Sequence, residues 1–451
     1  MSLANHGGGL SRKCKQTAYW GSRPGCGSGR RHPVAGNRFD FAPRPPLSSA
    51  PLQRPRSKVP FFVFGGVNTF ACSYYGNYLY FLLRDQHGFG NLGNLSVSAL
   101  HGLVFVFAAW QGGKFAQRFG YLTSLQTGFA GMGLCLLAGW FLPSVPAQLV
   151  VLSIWTACMC LTWPALEAVV SDGEDDHSLP RQVGLYNVCW SACAAGTYFI
   201  GGALFDRLGH LSLFWLPVAI YAVQFVAITW LKRVQGDPLP ERRTASETLP
   251  SHLPEPQSLT QSVSPETFLK LAWLANPFAY MGLNTLLAVI PGLAKDLKLT
   301  ATESGLFCSI WFFARLVTFI GLWRWTGWHY RFRWLLLSFC GLILSLAMLL
   351  LVRSYWPLVV AQICLGICVG LIYYSSLFYS MDVGETQGEH GGLHEAMIGS
   401  GICIGPAIGV AGLLLAPGQP NAGAYAVLAL LVGGLAGLLG LRMRGRRRPV
   451  G

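Results

Sequence analysis

Leu335–Val352, LLLSFCGLILSLAMLLLV, runs for eighteen residues without a charge. A helix needs ~20 mostly apolar residues to cross the hydrocarbon core of a bilayer. The same signal recurs on either side, near 302–322 and 356–379, and then along most of the chain. Further runs lie near 60–83, 94–113, 121–142, 147–170, 184–204, 211–231, 267–291, 393–415 and 421–441, which makes twelve. They are continuous rather than alternating, so they predict helices and not the strands of a barrel.

Composition agrees with a lipid solvent. Hydrophobic residues make up 52% and charged residues 12%, against about 25% charged in soluble domains. The backbone of such a chain must be satisfied internally. Between the sixth and seventh runs lies a polar stretch with Pro238, Pro240, Pro250, Pro254, Pro256 and Pro265, a linker by composition. The expected division is therefore a basic tail at 1–59, a six-helix bundle at 60–231, a linker at 232–266, a second six-helix bundle at 267–442 and a basic tail at 443–451. The predicted fold is an all-α membrane protein of twelve transmembrane helices in two pseudo-symmetric bundles, a layout that polytopic transporters share.

The net charge of +14 is unevenly placed, with eleven Lys and Arg against Asp40 alone before Val59. Nucleic-acid binding is one use of such charge; topology explains it better, because basic residues gather on the cytoplasmic side. With the N-terminus inside, inside loops hold Lys114, Arg118, Arg181, Lys232, Arg233, Arg324 and Arg331 among others, and outside loops only Arg84, Arg207, Lys295, Lys298 and Arg353. Both termini and the linker are expected in the cytoplasm, in a plasma (inner) membrane, with lipid as surroundings, no nucleic-acid partner and a monomeric chain. The Gly-, Arg- and Pro-rich leader reads as a disordered tail or a start-site artefact, with an organellar transit peptide as the alternative. The cysteines show no CxxC pair and no zinc spacing, so they read as packing residues.

Gly113-Lys114-Phe115-Ala116-Gln117-Arg118-Phe119-Gly120, after the second run, resembles the G-x-L-A-D-R-x-G loop of the major facilitator superfamily. Gln117 stands where that family usually has Asp, and Tyr121 where it usually has a basic residue. Gly202-Ala203-Leu204-Phe205-Asp206-Arg207-Leu208-Gly209 keeps the Asp-Arg pair and reads as an external turn. Gly401-Ile402-Cys403-Ile404-Gly405-Pro406-Ala407-Ile408-Gly409 is similar to the antiporter element G-x-x-x-G-P-x-x-G and reads as a packing and rocking surface. Ser191 with Ser400 and Gly196 with Gly405 suggest duplicated halves. The resemblance covers residues 60–442 and implies alternating access about a central site built mainly by helices one, four, seven and ten.

Polar groups inside apolar runs should face a bundle interior or a wet cavity. Arg315, in the eighth run, is the sharpest of them: at ~1.5 Å per residue from Ala301 it lies roughly 20 Å deep. It reads as an anchor for an anionic substrate, half of a gating pair, or a structurally paired arginine. Asn68, Trp163, Asn187, Trp190, Tyr280, Asn284, Tyr373 and Tyr374 join it as candidate substrate contacts, because aromatic and amide groups together suit a small polar solute; a sugar or an organic anion fits. Glu167, Glu395 and His394 sit near the inner ends of their helices and are candidates for proton coupling. Arg118, Asp172, Arg181 and Asp382 are candidate gate pairs on the cytoplasmic side, or are simply solvated. The acid–His loops, Asp172 to His177 and Asp382 to His390, match neither an EF-hand nor an HExxH site, so no metal and no cofactor is expected. His101 reads as a hydrogen-bonded helix residue.

With no phosphate loop and no large extramembrane domain, the reading is a secondary transporter of a small solute, with proton coupling as an option, and not an enzyme. Two alternatives stay open: an integral membrane enzyme of lipid-linked transfer chemistry, and a transporter-like sensor or assembly factor without flux.

Overall fold

The computed structural model describes residues 57–174, 178–237, 264–383 and 387–446. The leader up to residue 56, residues 238–263 of the linker, Asp175 to His177, Glu385 and the tail beyond 446 fall outside them, as do the side chains of Glu389 and His390. The helices run α1 (Val59–His87), α2 (Asn91–Phe119), α3 (Tyr121–Phe141), α4 (Val145–Met159), α5 (Trp163–Ser171), α6 (Leu179–Leu208), α7 (Ser212–Gln235), α8 (Pro265–Asp296), α9 (Ala301–Arg324), α10 (Phe332–Leu351), α11 (Tyr355–Val383), α12 (Gln387–Leu415) and α13 (Ala422–Arg446). Eleven spans are long and apolar enough to cross a bilayer, with α4 and α5 counted as one. The remaining helix, α1, has the length at 29 residues but carries Asn68, Asn77 and four tyrosines that dilute its hydropathy. The twelve-helix layout holds.

Local chemistry sets the ends. Thr300 and Glu303 form a reciprocal capping box at α9, and Ser264 accepts from the Thr267 amide at α8, with Pro265 at the first helical position; both arrangements satisfy orphan amides. Asp237 accepts from the amides of Leu122 and Thr123 at 3.1 and 2.8 Å and so caps α3. Helices also run past the apolar runs. Gly113 to Phe119 form the last turns of α2, and only Gly120, at φ 94°, turns the chain. Likewise Gly202 to Leu208 belong to α6, so that string is helix rather than turn.

The fourth span is broken. Pro164 cannot donate to the Cys160 carbonyl, and the chain tightens through Leu161→Cys158 and Thr162→Met159 bonds. Neighbours fill the gap: Asn68 Nδ2 donates to Thr162 Oγ1 at 3.1 Å, and Ser124 Oγ donates to the Leu161 carbonyl at 2.7 Å.

The same pattern of packing appears twice. α1 packs on α6 and α3 on α7 in the first half; α8 packs on α12 and α10 on α13 in the second. Across the halves, α2 meets α12 and α6 meets α9. A Cβ added at Gly102 would lie 2.1 Å from the Cys403 nitrogen, and one at Gly202 would lie 2.1 Å from the Ala301 carbonyl oxygen. The helices approach backbone to backbone at both seams. Gly401 and Gly405 instead face Pro277 and Met281 of α8. That glycine string packs on α8 through Gly401 and Gly405 and on α2 of the other half through Ile402, Cys403 and Gly409, whose added Cβ would lie 3.3 Å from Leu95. Gly196 meets nothing within 4 Å, whereas Gly405 meets Met281. The three most uniformly apolar spans differ in burial: 22% of the most apolar stretch is buried in α13, against 50% in α3 and 44% in α10.

Candidate functional site

The halves enclose a cavity of about 210 Å³. Its walls come from α1 (Thr69, Ser73, Asn77), α5 (Trp163, Glu167), α6 (Tyr186, Trp190), α8 (Tyr280, Asn284), α9 (Trp311, Phe312, Arg315), α11 (Tyr373) and α12 (Glu395), with Phe105 of α2 and aliphatic side chains completing them. The halves touch at both ends. Near the linker, Gly184 lies against Trp323 and Gly392 against Gly113. At the far end, Arg84 Nη1 donates to the Pro291 carbonyl at 2.6 Å, and Asp206 accepts from the Thr302 amide and hydroxyl at 2.8 and 2.6 Å.

Arg315 is 4% exposed. Its guanidinium carbon stands 4.7 Å from the Trp190 ring centre, 5.0 Å from Phe312, 5.1 Å from Trp311 and 6.0 Å from Phe319. The ion pairs among the described residues are Lys58–Glu174, Arg84–Asp85, Lys232–Asp237 and Arg353–Asp296, so no carboxylate pairs with Arg315. Its Nε has no hydrogen-bond partner among the described residues. Desolvated ring faces give a cation about 2 kcal/mol, well short of the cost of burying an unpaired charge. The arrangement is an aromatic cage with positive charge left over, open to the cavity.

At the linker end of the cavity stand Glu167 from α5 and Glu395 from α12, with His394 beside them. One donor atom of each lies within 4.8 Å of the others, and all three residues are buried. α12 begins at Gln387, earlier than the apolar run, which carries Glu395 from the helix end to a depth two turns in.

Six of the nine candidate substrate contacts line the cavity: Trp163, Trp190, Tyr280, Asn284, Arg315 and Tyr373. Three do not. Asn68 is committed to Thr162 at the broken span. Asn187 sits behind the wall and accepts from Trp190 Nε1 at 2.9 Å. Tyr374 packs on Trp328 and Phe319, with centroids at 5.6 and 5.7 Å. The expected gate pairs do not form among the described residues. Arg118, Asp172 and Arg181 are exposed, Arg118 lies over Phe119, and Asp382 accepts from the Tyr330 hydroxyl. Lys58 is engaged at this end instead: it donates to the Val170 and Asp172 carbonyls at 2.8 and 2.7 Å and pairs with Glu174 at 2.5 Å. His101 bonds Thr156 Oγ1 at 2.8 Å, as a helix-packing histidine should. Sequence reasoning passed over Thr69 and Ser73, although with Asn77 they recur every fourth residue along one face of α1.

Three comparisons bear on this architecture. A search of curated proteins returns no match by sequence. The fold is similar to the crystal structure of the nucleoside transporter NupG, with TM-score 0.59, 13% identity, 87% of this chain and 99% of that one covered. It is similar as well to the human organic anion transporter MFSD10 (TETRAN), with TM-score 0.61, 14% identity, 85% of this chain and 98% of that one covered. The family model of the Major Facilitator Superfamily matches residues 61–406. With twelve spans in two similar halves around a central cavity, the chain belongs to the major facilitator superfamily and is a multi-pass membrane transporter rather than an enzyme.

Proposed function

We propose that this transporter carries a small organic anion by alternating access, with Arg315 anchoring the anionic group and the carboxyl pair Glu167–Glu395 carrying a coupling proton. One observation carries the reading: a buried guanidinium faces the cavity with no carboxylate beside it. An anion entering the cage supplies the missing charge through short, charge-assisted hydrogen bonds. Trp163, Trp190, Tyr280 and Tyr373 offer ring faces to an apolar or planar body. The cavity volume of about 210 Å³ falls below the ~300–1,000 Å³ of drug-sized sites, which favours a compact solute. The similarity to MFSD10, described as an organic anion transporter, runs in the same direction.

The proton role rests on Glu167 and Glu395 belonging to opposite halves. Two like charges this close in a buried place repel strongly, and a shared proton relieves the repulsion. When the linker end opens, α5 leaves α12 and the pair is broken, so proton release follows the conformational change. A second reading takes a neutral, nucleoside- or sugar-like solute held by aromatic faces and by Asn77 and Asn284, in line with the NupG similarity; Arg315 is then structural. We place both termini on the cytoplasmic side of the plasma membrane from the distribution of Lys and Arg, and we take the chain to work as a monomer.

Flux into proteoliposomes decides between the readings. Uptake of a carboxylate, stimulated by an imposed pH gradient and abolished in Arg315→Gln, is the expected result. Uptake of a neutral solute that survives Arg315→Gln sinks the anion reading. Binding without flux in any direction points to a sensor.

A further inference from the structure

Glu167, His394 and Glu395 are 2, 1 and 6% exposed, and one donor atom of each lies within 4.8 Å of the other two. Two of their atoms stand without a hydrogen-bond partner among the described residues: Glu167 Oε2 and His394 Nε2. The other imidazole nitrogen, Nδ1, lies 3.3 Å from Ser376 Oγ. With that hydroxyl accepting from Nδ1–H, the lone pair of Nε2 is left for a ligand. A proton shared between the carboxyls leaves one negative charge and His394 Nε2 unsatisfied. A doubly charged cation cancels both carboxylates and gives all three donors a partner.

We propose that Glu167, His394 and Glu395 form a binding site for a divalent transition-metal ion that clasps α5 to α12. Two carboxylate oxygens and one imidazole nitrogen suit zinc, manganese, iron(II) or cobalt(II). Bonds of ~2.0–2.2 Å require the donors to draw together by roughly 1 Å, within reach of side-chain rotation. Ser376 fixes the imidazole orientation, the role outer partners play at metal sites. Glu167 and Glu395 both line the cavity, so water or a substrate oxygen can reach an ion held between them. Because α5 and α12 belong to opposite halves, the bound ion holds the linker end shut. The cation and the coupling proton compete for the same two carboxyls, so the ion is held when the proton has left; the site needs only these three side chains and stands apart from the anion reading.

The test uses full-length, tag-free protein in detergent, stripped with a chelator and titrated with Co²⁺ in the absence of any organic anion. Visible absorption and calorimetry are the readouts. One Co²⁺ per chain with ligand-field bands and no thiolate charge-transfer band is expected. Affinity should fall at least about tenfold in His394→Gln and in Glu167→Gln, with elution volume unchanged, and Zn²⁺ should raise the melting temperature of the wild type but not of His394→Gln. Arg315→Gln should bind Co²⁺ as the wild type does, which separates this assignment from the fate of the anion reading. Should Glu167→Gln fail to fold, Glu167→Asp keeps a carboxylate one methylene short and is expected to weaken binding. Absence of stoichiometric binding, binding indifferent to both positions, or a thiolate band from a cysteine such as Cys160 overturns the proposal.

Discussion

Substituting alanine for Gly102 adds one methyl group where two helix backbones meet. The new Cβ would lie 2.1 Å from the Cys403 nitrogen, 2.4 Å from the Ile402 carbonyl carbon and 2.5 Å from the Cys403 Cα. Ordinary contact begins at 3.4 Å, so the nearest atom must retreat by about 1.3 Å. No flexible side chain is there to move, and α2 must part from α12. Gly399, whose own added Cβ would come within 2.8 Å of the Val106 nitrogen, sits on the same seam and loses its fit too. Overpacking costs typically 1–3 kcal/mol. Taken at about 2 kcal/mol, the closed state loses about thirty-fold in population against open forms, since 1.4 kcal/mol is tenfold. Melting in detergent should drop by several degrees and flux in proteoliposomes should fall with it. Gly196→Ala is the control, because that position has nothing within 4 Å. If Gly102→Ala and Gly196→Ala melt and transport alike, the close approach of α2 and α12 is wrong.

Three further outcomes follow from particular contacts. Arg315→Gln should weaken binding of the transported anion by about 10- to 150-fold, matching ~1.5–3 kcal/mol for a hydrogen bond to a charged group, whereas Arg315→Lys retains the charge without the planar fork and should fall between; calorimetric titration reads both. Asp206→Asn weakens the clasp on the first turn of α9, so hydrogen exchange should speed up at Thr302 and its neighbours while the linker-end helices stay protected. Asn68→Ala removes the donor to Thr162 and should cost about 1–2 kcal/mol of stability, seen in melting, with substrate affinity unchanged; a large affinity loss at constant stability would return Asn68 to the binding site.

The sequence displayed the helices clearly because lipid imposes a simple rule on length and polarity. It displayed Arg315, Glu167 and Glu395 for the same reason, as isolated charges in apolar runs. Helix ends were less legible. Helices continue into polar stretches such as Gly113–Phe119, where hydropathy falls but the hydrogen-bond ladder does not. The direction in which a polar side chain points was harder still. Asn68 and Asn284 look alike in sequence, yet one is consumed by a break in a neighbouring span and the other reaches the cavity. Pro164 announces that break, but only a structure shows which partners repair it. Nearness to one end of the bundle does not by itself pair side chains: among the described residues Arg118 and Arg181 are exposed without a carboxylate partner, and Lys58 reaches the C-terminal carbonyls of α5.

The polar character of α1 also bears on how the protein is made. Seventeen of its 29 residues are buried, including Asn68, Thr69, Tyr74, Tyr75 and Tyr78, against α6, α7 and the broken fourth span. None of those neighbours exists when α1 leaves the ribosome. Of the twelve spans, α1 is thus the least able to rest in lipid by itself, and its polar face must be shielded until more than a hundred further residues have emerged. Its Asn68 amide waits for Thr162 and its Tyr74 hydroxyl for Ser212, so the first half of the molecule closes only when α7 is in place.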